Sequence, residues 1–238
     1  MNIRDYPNNS LSFIKLLAVL SMAVDHYNKY IKEEYSQILF NFGRLALPLF
    51  IFVIGYNLAR MPVKKMPTMM LRLFLFGLAA VPAYNALGGA IALGWWPLNV
   101  LFTLLASVAV VYLLSLYPDG ENNLKRVGAR VMAVIVFVAS GVVVEYFWPA
   151  LGLVLAVWAF FRLAKKPLYA LLVLPVLGLW LGLLCDINGN GWALLALPVI
   201  AVGWITTNTG FQIPRFKWFF YWFYPAHLWI LYLVSVLK

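Results

Sequence analysis

Residues 16–30, LLAVLSMAVDHYNKY, begin as an apolar helix and then place an acid beside a histidine, Asp25 and His26, before the hydrophobic segment ends. The chain of 238 residues is 64% hydrophobic and 11% charged, with a mean hydropathy of +0.88. Soluble domains carry about 45–50% apolar and ~25% charged residues. The composition therefore excludes a water-soluble surface and predicts an all-α fold, a polytopic transmembrane helical bundle.

Nine apolar segments approach the ~20 residues that a helix needs to cross the hydrocarbon core. We expect spans at 11–31, 38–58, 69–87, 98–117, 127–145, 148–163, 168–185, 191–207 and 218–237. Two of these segments are separated at Trp148-Pro149, because proline disfavours helix at the residue before it. The apolar helix continues past a faint cleavage site at Ser21-Met22-Ala23, which favours an uncleaved first span. We treat residues 1–238 as one domain.

Charged loops predict the orientation. The basic residues that fall together on one side are Arg60, Lys64, Lys65, Arg72, Lys125, Arg126, Arg130, Arg162, Lys165, Lys166, Arg215 and Lys217. Cytoplasmic loops are enriched in Lys and Arg, so this side and the N-terminus are expected in the cytoplasm. The formal charge of +10 is explained in the same way. The sequence contains no motif for binding nucleic acid.

Ionisable residues inside the predicted spans are candidates for function, because each costs about 2.5–3.5 kcal/mol on insertion scales. Asp25 and His26 lie late in span one, and Arg44 lies early in span two. These spans are joined by a short outer loop, so we expect the three side chains to share one layer in the outer half of the membrane. Adjacent helix residues do not face each other, so Asp25 is expected to pair with Arg44 rather than to orient His26. An ion pair that only holds two helices together is the structural alternative.

Lys15 lies about three helical turns before His26 and therefore on nearly the same face, ~16 Å towards the cytoplasm. An anionic ligand held near Lys15 could extend an arm towards His26. Snorkelling of Lys15 to the headgroups is the alternative.

The second histidine, His227, lies near the middle of the last span, and Tyr224 shares its face. A hydrogen bond between helices is the structural alternative for His227. Tyr84 ends span three, and Asn99, which begins span four, fits either a supporting role or a helix cap. Glu145 and Asp186 are interpreted as ordinary interfacial carboxylates at outer helix ends.

Several stretches resemble the TraX family, which is named for the acetylase of conjugative F-type pilin. They are IKLLAVLSMAVDHYNKY at 14–30, FGRLALPLFIFVIGYNLAR at 42–60, LNVLFTLL at 98–105 and FYPAHLWIL at 223–231. The spacing of Lys15 and His26, the FIFVIGYNL segment and the region around His227 are also similar to the type-three integral-membrane acyltransferases.

The resemblance implies acetyl-CoA as donor and a multi-pass protein of the bacterial inner membrane, in contact with lipid. With only 2 histidines and no cluster of metal-ligating residues, the sequence predicts no metal site. The resemblance also implies His26 as general base, Arg44 as oxyanion stabiliser or partner of Asp25, and Lys15 and Arg72 near the CoA phosphates. The acceptor would be the amine of a small hydrophobic protein such as pilin.

Three alternatives remain open from the sequence. The acceptor could instead be the hydroxyl of a sugar or glycan. The polar cluster could serve a small proton-coupled transporter without CoA chemistry. A non-catalytic assembly protein is the third alternative, in which His26 would affect partner binding only.

Overall fold

The computed structural model describes residues 8–117, 123–164, 166–205 and 218–237. The α-helices in these ranges are α1 (Asn8–Tyr30), α2 (Gln37–Gly43), α3 (Ala46–Arg60), α4 (Met66–Ala86), α5 (Val100–Ser115), α6 (Asn123–Val143), α7 (Phe147–Leu163), α8 (Pro167–Asn188), α9 (Ala196–Ile205) and α10 (Phe219–Leu237). Short 3-10 helices at Val63–Lys65 and Trp192–Leu195 precede α4 and α9. The described residues form no β-strand, and the predicted all-α class is confirmed.

Each of the nine predicted segments contains a helix, but their lengths differ. Segments long and apolar enough to cross a membrane are Asn9–Tyr30, Gln37–Arg60, Val63–Ala86, Asn123–Val143, Leu168–Asn188 and Phe219–Leu237. The shorter apolar helices are Val100–Ser115, Phe147–Leu163 and Trp192–Gly203. A membrane protein with several spans is therefore supported, whereas the number nine and the cytoplasmic N-terminus stay predictions. Lys165, Arg215 and Lys217, used for the orientation, lie outside the described residues.

The predicted second span is not one continuous helix, because it breaks between α2 and α3 at Arg44 and Leu45. The N–H of Leu45 bonds to the carbonyl of Phe42 at 3.2 Å, three residues back instead of four. Pro48 has no N–H, so the carbonyl of Arg44 loses its usual helical partner. The Ser21 hydroxyl on α1 donates to the carbonyl of Phe42 at 2.6 Å. Pro48 was thus the sequence signal for a break that the hydropathy pattern concealed.

The predicted break near Trp148-Pro149 is present, but it falls a few residues earlier. α6 ends at Val143, and both Tyr146 and Phe147 have a left-handed backbone, with φ of 61° and 49°. Pro149 lies in the first turn of α7, where a missing N–H costs no helical bond.

Hydrogen bonds join this α6–α7 link to the start of α5. The N–H of Leu98 donates to the carbonyl of Val143 at 2.8 Å, and the N–H of Glu145 donates to the carbonyl of Leu98 at 2.8 Å. The Thr103 hydroxyl donates to the carbonyl of Glu145, also at 2.8 Å. Both backbone polar groups of Glu145 are therefore bonded, one to Leu98 just before α5 and one to Thr103 within it.

The core lies around α3, which packs against α1 and α7. Close approach to α7 depends on Gly55, where a Cβ would overlap Val157. Small residues that admit such contacts are a common means of helix association in membranes. By contrast, α6 and α8 expose continuous apolar faces, including Val134, Val138, Leu171 and Leu172. These faces are suited to contact with lipid, whereas the polar side chains described next point inward.

Candidate active site

Asp25 on α1 and Arg44 at the α2–α3 break form an ion pair with 2.6 Å between Oδ2 and Nη2. Their side chains are only 13% and 12% exposed. The Arg44 guanidinium also donates to Oδ1 of Asn188 on α8 at 3.3 Å and lies 4.3 Å from the centre of the Phe40 ring. The predicted pairing of Asp25 with Arg44 is confirmed, and the pair links three helices.

Close packing against α1 requires a glycine at position 43, directly before Arg44. A Cβ at Gly43 would overlap the side chain of Asp25, so the backbone before Arg44 can approach α1 only without a side chain. The Gly-Arg dipeptide therefore brings the guanidinium into reach of the acid.

The two histidines meet across the fold. Nδ1 of His26 lies 2.7 Å from Nε2 of His227, with ring centres 5.0 Å apart, and Nδ1 of His227 lies 2.9 Å from the carbonyl of Phe223. A carbonyl only accepts, so Nδ1 of His227 carries the proton and its Nε2 is an acceptor when the ring is neutral. Nδ1–H of His26 must then donate to His227, which leaves the lone pair on Nε2 of His26. His227 thus selects the tautomer of His26 in which Nε2 can act as a base.

A cavity of about 50 Å³ contains this polar group. Its lining includes Asp25, His26, Gly43, Arg44, Glu145, Tyr146, Asn188 and Tyr224. Asp25, His26 and Arg44 therefore share one cavity, in agreement with the predicted layer. Glu145 was interpreted as an ordinary interfacial acid, and this was wrong, because the link from α6 to α7 turns it into the cavity.

Electrostatics at this link are unusual. Removal from water raises the pKa of the Glu145 carboxyl to about 7, although Lys29 and the backbone N–H of Val100 favour the charged form. Burial also raises the pKa of the neighbouring Tyr146 phenol, with the charge of Glu145 as a further cause. Glu145 is thus a carboxyl that exchanges its proton near neutral pH.

A larger cavity of about 320 Å³ lies next to the first one. Lys15 and Arg72 line it, and its remaining wall is mostly apolar. The lining side chains common to both cavities are Met22, Phe50, Val100 and Tyr224. Lys15 lies 5.3 Å from the centre of the Phe220 ring, and Arg72 lies 4.4 Å from that of Trp218. Both predicted cofactor-binding residues therefore line one cavity, which adjoins the cavity of His26.

The other predicted supporting residues differ in their positions. Tyr224 is 4% exposed, lines both cavities and contacts the ring of His227 edge-on. Asn99 caps α5, since its Oδ1 accepts from the N–H of Leu101 at 3.1 Å and its amide donates to the carbonyl of Gly77. Tyr84 is buried and packs against Gly89. The structure thus favours the helix-cap alternative for Asn99, and neither Asn99 nor Tyr84 lines either cavity.

Comparison with known proteins gives one match. A family model described as TraX protein matches residues 10–235. No curated protein sequence matches the chain, and no solved structure does.

Proposed function

The chain belongs to the TraX family, and we propose on this premise that it is a membrane-embedded acetyltransferase. It would move an acetyl group from acetyl-CoA to an acceptor amine, at a site in the membrane or at its outer side. The observation that carries the proposal is the pair of adjoining cavities, one lined by two cations and the other by His26. A thioester donor with a phosphorylated end needs this arrangement, because its anionic and reactive ends are far apart.

The cationic end of the site is the place for the donor phosphates. Lys15 and Arg72 line the 320 Å³ cavity, whose other wall reaches Met22 and Tyr224. Lys15 and His26 lie ~16 Å apart along α1, at 1.5 Å per residue. A long, flexible arm can run along the apolar wall between them and bring the thioester to the histidine.

The reacting end needs a base and a stabiliser for negative charge. The amine nitrogen attacks the acetyl carbon while Nε2 of His26 takes a proton from it, a role suited to histidine at neutral pH. The carbon–sulfur bond then breaks, and the same proton passes from His26 to the departing thiolate. His227 acts as a positioning residue, since it keeps the proton of His26 on Nδ1.

Arg44 is placed to stabilise the oxyanion of the tetrahedral intermediate. Its Nη atoms contact Asp25 and Asn188, but Nε is buried without a hydrogen-bond partner among the described residues. A buried donor without a partner costs about 1–3 kcal/mol, so an unused N–H indicates a ligand that completes it. A single oxyanion-hole donor is typically worth ~3–4 kcal/mol in the transition state.

The test is release of CoA from acetyl-CoA by the purified protein in nanodiscs. We expect slow release by the wild type, none by His26→Ala, and wild-type release by Tyr27→Phe. Tyr27 is the adjacent residue, is half-exposed and lines neither cavity, so the pair of variants separates loss of the base from damage to α1.

Two results would count against the proposal. If the wild type neither binds acetyl-CoA nor releases CoA, acyl transfer is wrong, and proton-coupled flux in liposomes becomes the next measurement. If His26→Ala releases CoA at the wild-type rate, the assigned base is wrong.

A further inference from the structure

An amine acceptor that binds as an ammonium ion has to lose two protons, and His26 alone takes only one. An aliphatic amine is mostly an ammonium ion at neutral pH, with a pKa of about 7.7–8.0 for an α-amine and ~10.4 for a lysine side chain. Acetylation removes two protons from this ammonium nitrogen, one before attack and one during it. A hydroxyl acceptor loses only one. A site for amines therefore gains from a second proton acceptor.

We propose that Glu145 binds the acceptor as an ammonium ion and takes its first proton, while His26 takes the second. The inference rests on the proposed acetyl transfer and assigns a residue to the acceptor side of that site. Glu145, His26 and Arg44 line the same 50 Å³ cavity.

Glu145 has the charge and the freedom to bind a cation. Arg44 is already neutralised by its ion pair with Asp25, and Glu145 forms no ion pair with another described residue. Its carboxylate accepts from the backbone N–H of Val100, the first residue of α5, where a helix N-terminus favours negative charge. An ammonium group is the ligand that completes this carboxylate.

The backbone of Glu145 is also held in place on both sides. Its N–H donates to Leu98 and its carbonyl accepts from Thr103, both at 2.8 Å. The left-handed Tyr146 follows immediately and ends the link. An anchor for a reacting atom has to be placed this firmly, because small displacements reduce the rate strongly.

Several other groups face Glu145 and influence its charge. The charged side chains are those of Asp25, Lys29 and Arg44, and the phenolic side chains are those of Tyr30, Tyr84, Tyr146 and Tyr224. Burial raises the pKa of this carboxyl to about 7. This pKa is closer to that of an α-ammonium than to that of a lysine side chain, so proton transfer to Glu145 is less unfavourable from an α-ammonium. The pair of bases is therefore matched to an α-amine.

The proton and bond changes balance. The ammonium gives one proton to the Glu145 carboxylate, and the free amine attacks the thioester carbon. The second proton passes to His26 as the C–N bond forms, and then to the thiolate as the C–S bond breaks. Glu145 finally releases its proton to solvent. The products are the acetylated amine, CoA thiol and one proton.

The experiment compares two synthetic apolar peptides that differ only at the first residue, one with a free α-amine and one with an α-hydroxyl. Acetyl transfer from acetyl-CoA is measured in nanodiscs for the wild type, Glu145→Gln, Glu145→Asp and Asp186→Asn. Asp186 is the matched control, because it is an acid at the same end of the fold, is exposed, and does not line the cavity.

We expect Glu145→Gln to raise the KM for the amine peptide by ~10–100-fold, as for loss of a charged hydrogen bond. In the wild type this KM should fall as the pH rises through about 7, where Glu145 becomes charged. This fall in KM near pH 7 should be absent in Glu145→Gln and present in Glu145→Asp and Asp186→Asn. If Glu145 had a purely structural role, Glu145→Gln would not abolish the pH dependence of KM while Glu145→Asp retained it.

An unchanged KM and pH profile in Glu145→Gln would overturn the inference while leaving acetyl transfer intact. Transfer by the wild type to the hydroxyl peptide alone, or CoA release without transfer to the amine peptide, would also overturn it. If the wild type neither transfers acetyl nor releases CoA, the proposed function itself fails, and this inference fails with it.

Discussion

Asp25 and Arg44 allow the structural and chemical roles of one ion pair to be separated. Removing one partner of a buried pair typically costs about 3–5 kcal/mol, because the other charge is left without compensation. The side chains keep 13% and 12% of their surface, so we expect the lower end, ~3 kcal/mol for Arg44→Gln. Asp25→Asn leaves Arg44 with the amide oxygen of Asn188 and an amide at position 25, and a smaller loss is expected.

The double variant Asp25→Asn, Arg44→Gln removes both charges together. It should be more stable than the sum of the single changes predicts, with a coupling energy of about 1–3 kcal/mol, as contacting residues show. The free energy of unfolding would be measured by SDS titration in mixed micelles, and CoA release would be measured in nanodiscs. If Arg44 stabilises the oxyanion, the double variant should regain stability but not turnover.

Additive losses, with a coupling below ~0.5 kcal/mol, would mean that the pair does not interact energetically. Turnover that returns with stability in the double variant would show that Arg44 has only a structural role, which is the alternative left open by the sequence.

Three further predictions concern single positions. Gly43→Ala should lower the free energy of unfolding by about 1–3 kcal/mol through overpacking against Asp25. Gly128→Ala is the control and should not destabilise the protein, because its Cβ would meet no atom within 4 Å. Equal effects of the two changes would contradict the close approach of Gly43 to Asp25. His227→Leu should lower the rate of CoA release by ~100-fold or more with an unchanged KM for acetyl-CoA. His227→Gln should retain part of this rate, because its amide oxygen can still accept a hydrogen bond from His26. Loss of acetyl-CoA binding in both variants would indicate a structural role instead. Lys15→Met should raise the KM for acetyl-CoA by ~10–100-fold. The KM for S-acetyl-pantetheine should not change, because this donor lacks the nucleotide phosphates. An equal rise in KM for both donors would refute contact between Lys15 and the phosphates.

Local chemistry made part of this molecule predictable from the sequence. Hydropathy gave the helical class and a helix in each apolar segment, because bilayer thickness imposes a length on every span. Depth along two consecutive spans was enough to pair Asp25 with Arg44. Asn99 had the helix cap as its alternative, and this is the role that its hydrogen bonds support.

Other features depended on packing that no local pattern records. His26 and His227 are 201 residues apart, so their hydrogen bond follows from α1 packing against α10 and has no sequence signal. Glu145 resembled any acid at a helix end, because its inward direction depends on the bonds to Leu98 and Thr103. The break at Arg44 was masked by continuous hydrophobicity, although Pro48 marked it.

The distance in sequence between the two histidines has a consequence for biosynthesis. α1 emerges from the ribosome first, whereas α10 is the last of the described helices, so His26 enters the membrane long before His227 can contact it. Until α10 packs, the hydrogen bond from Nδ1 of His26 to Nε2 of His227 is absent. On the proposed mechanism, we therefore expect chains in which α10 has not yet packed against α1 to release little CoA from acetyl-CoA, and release to begin once this contact has formed.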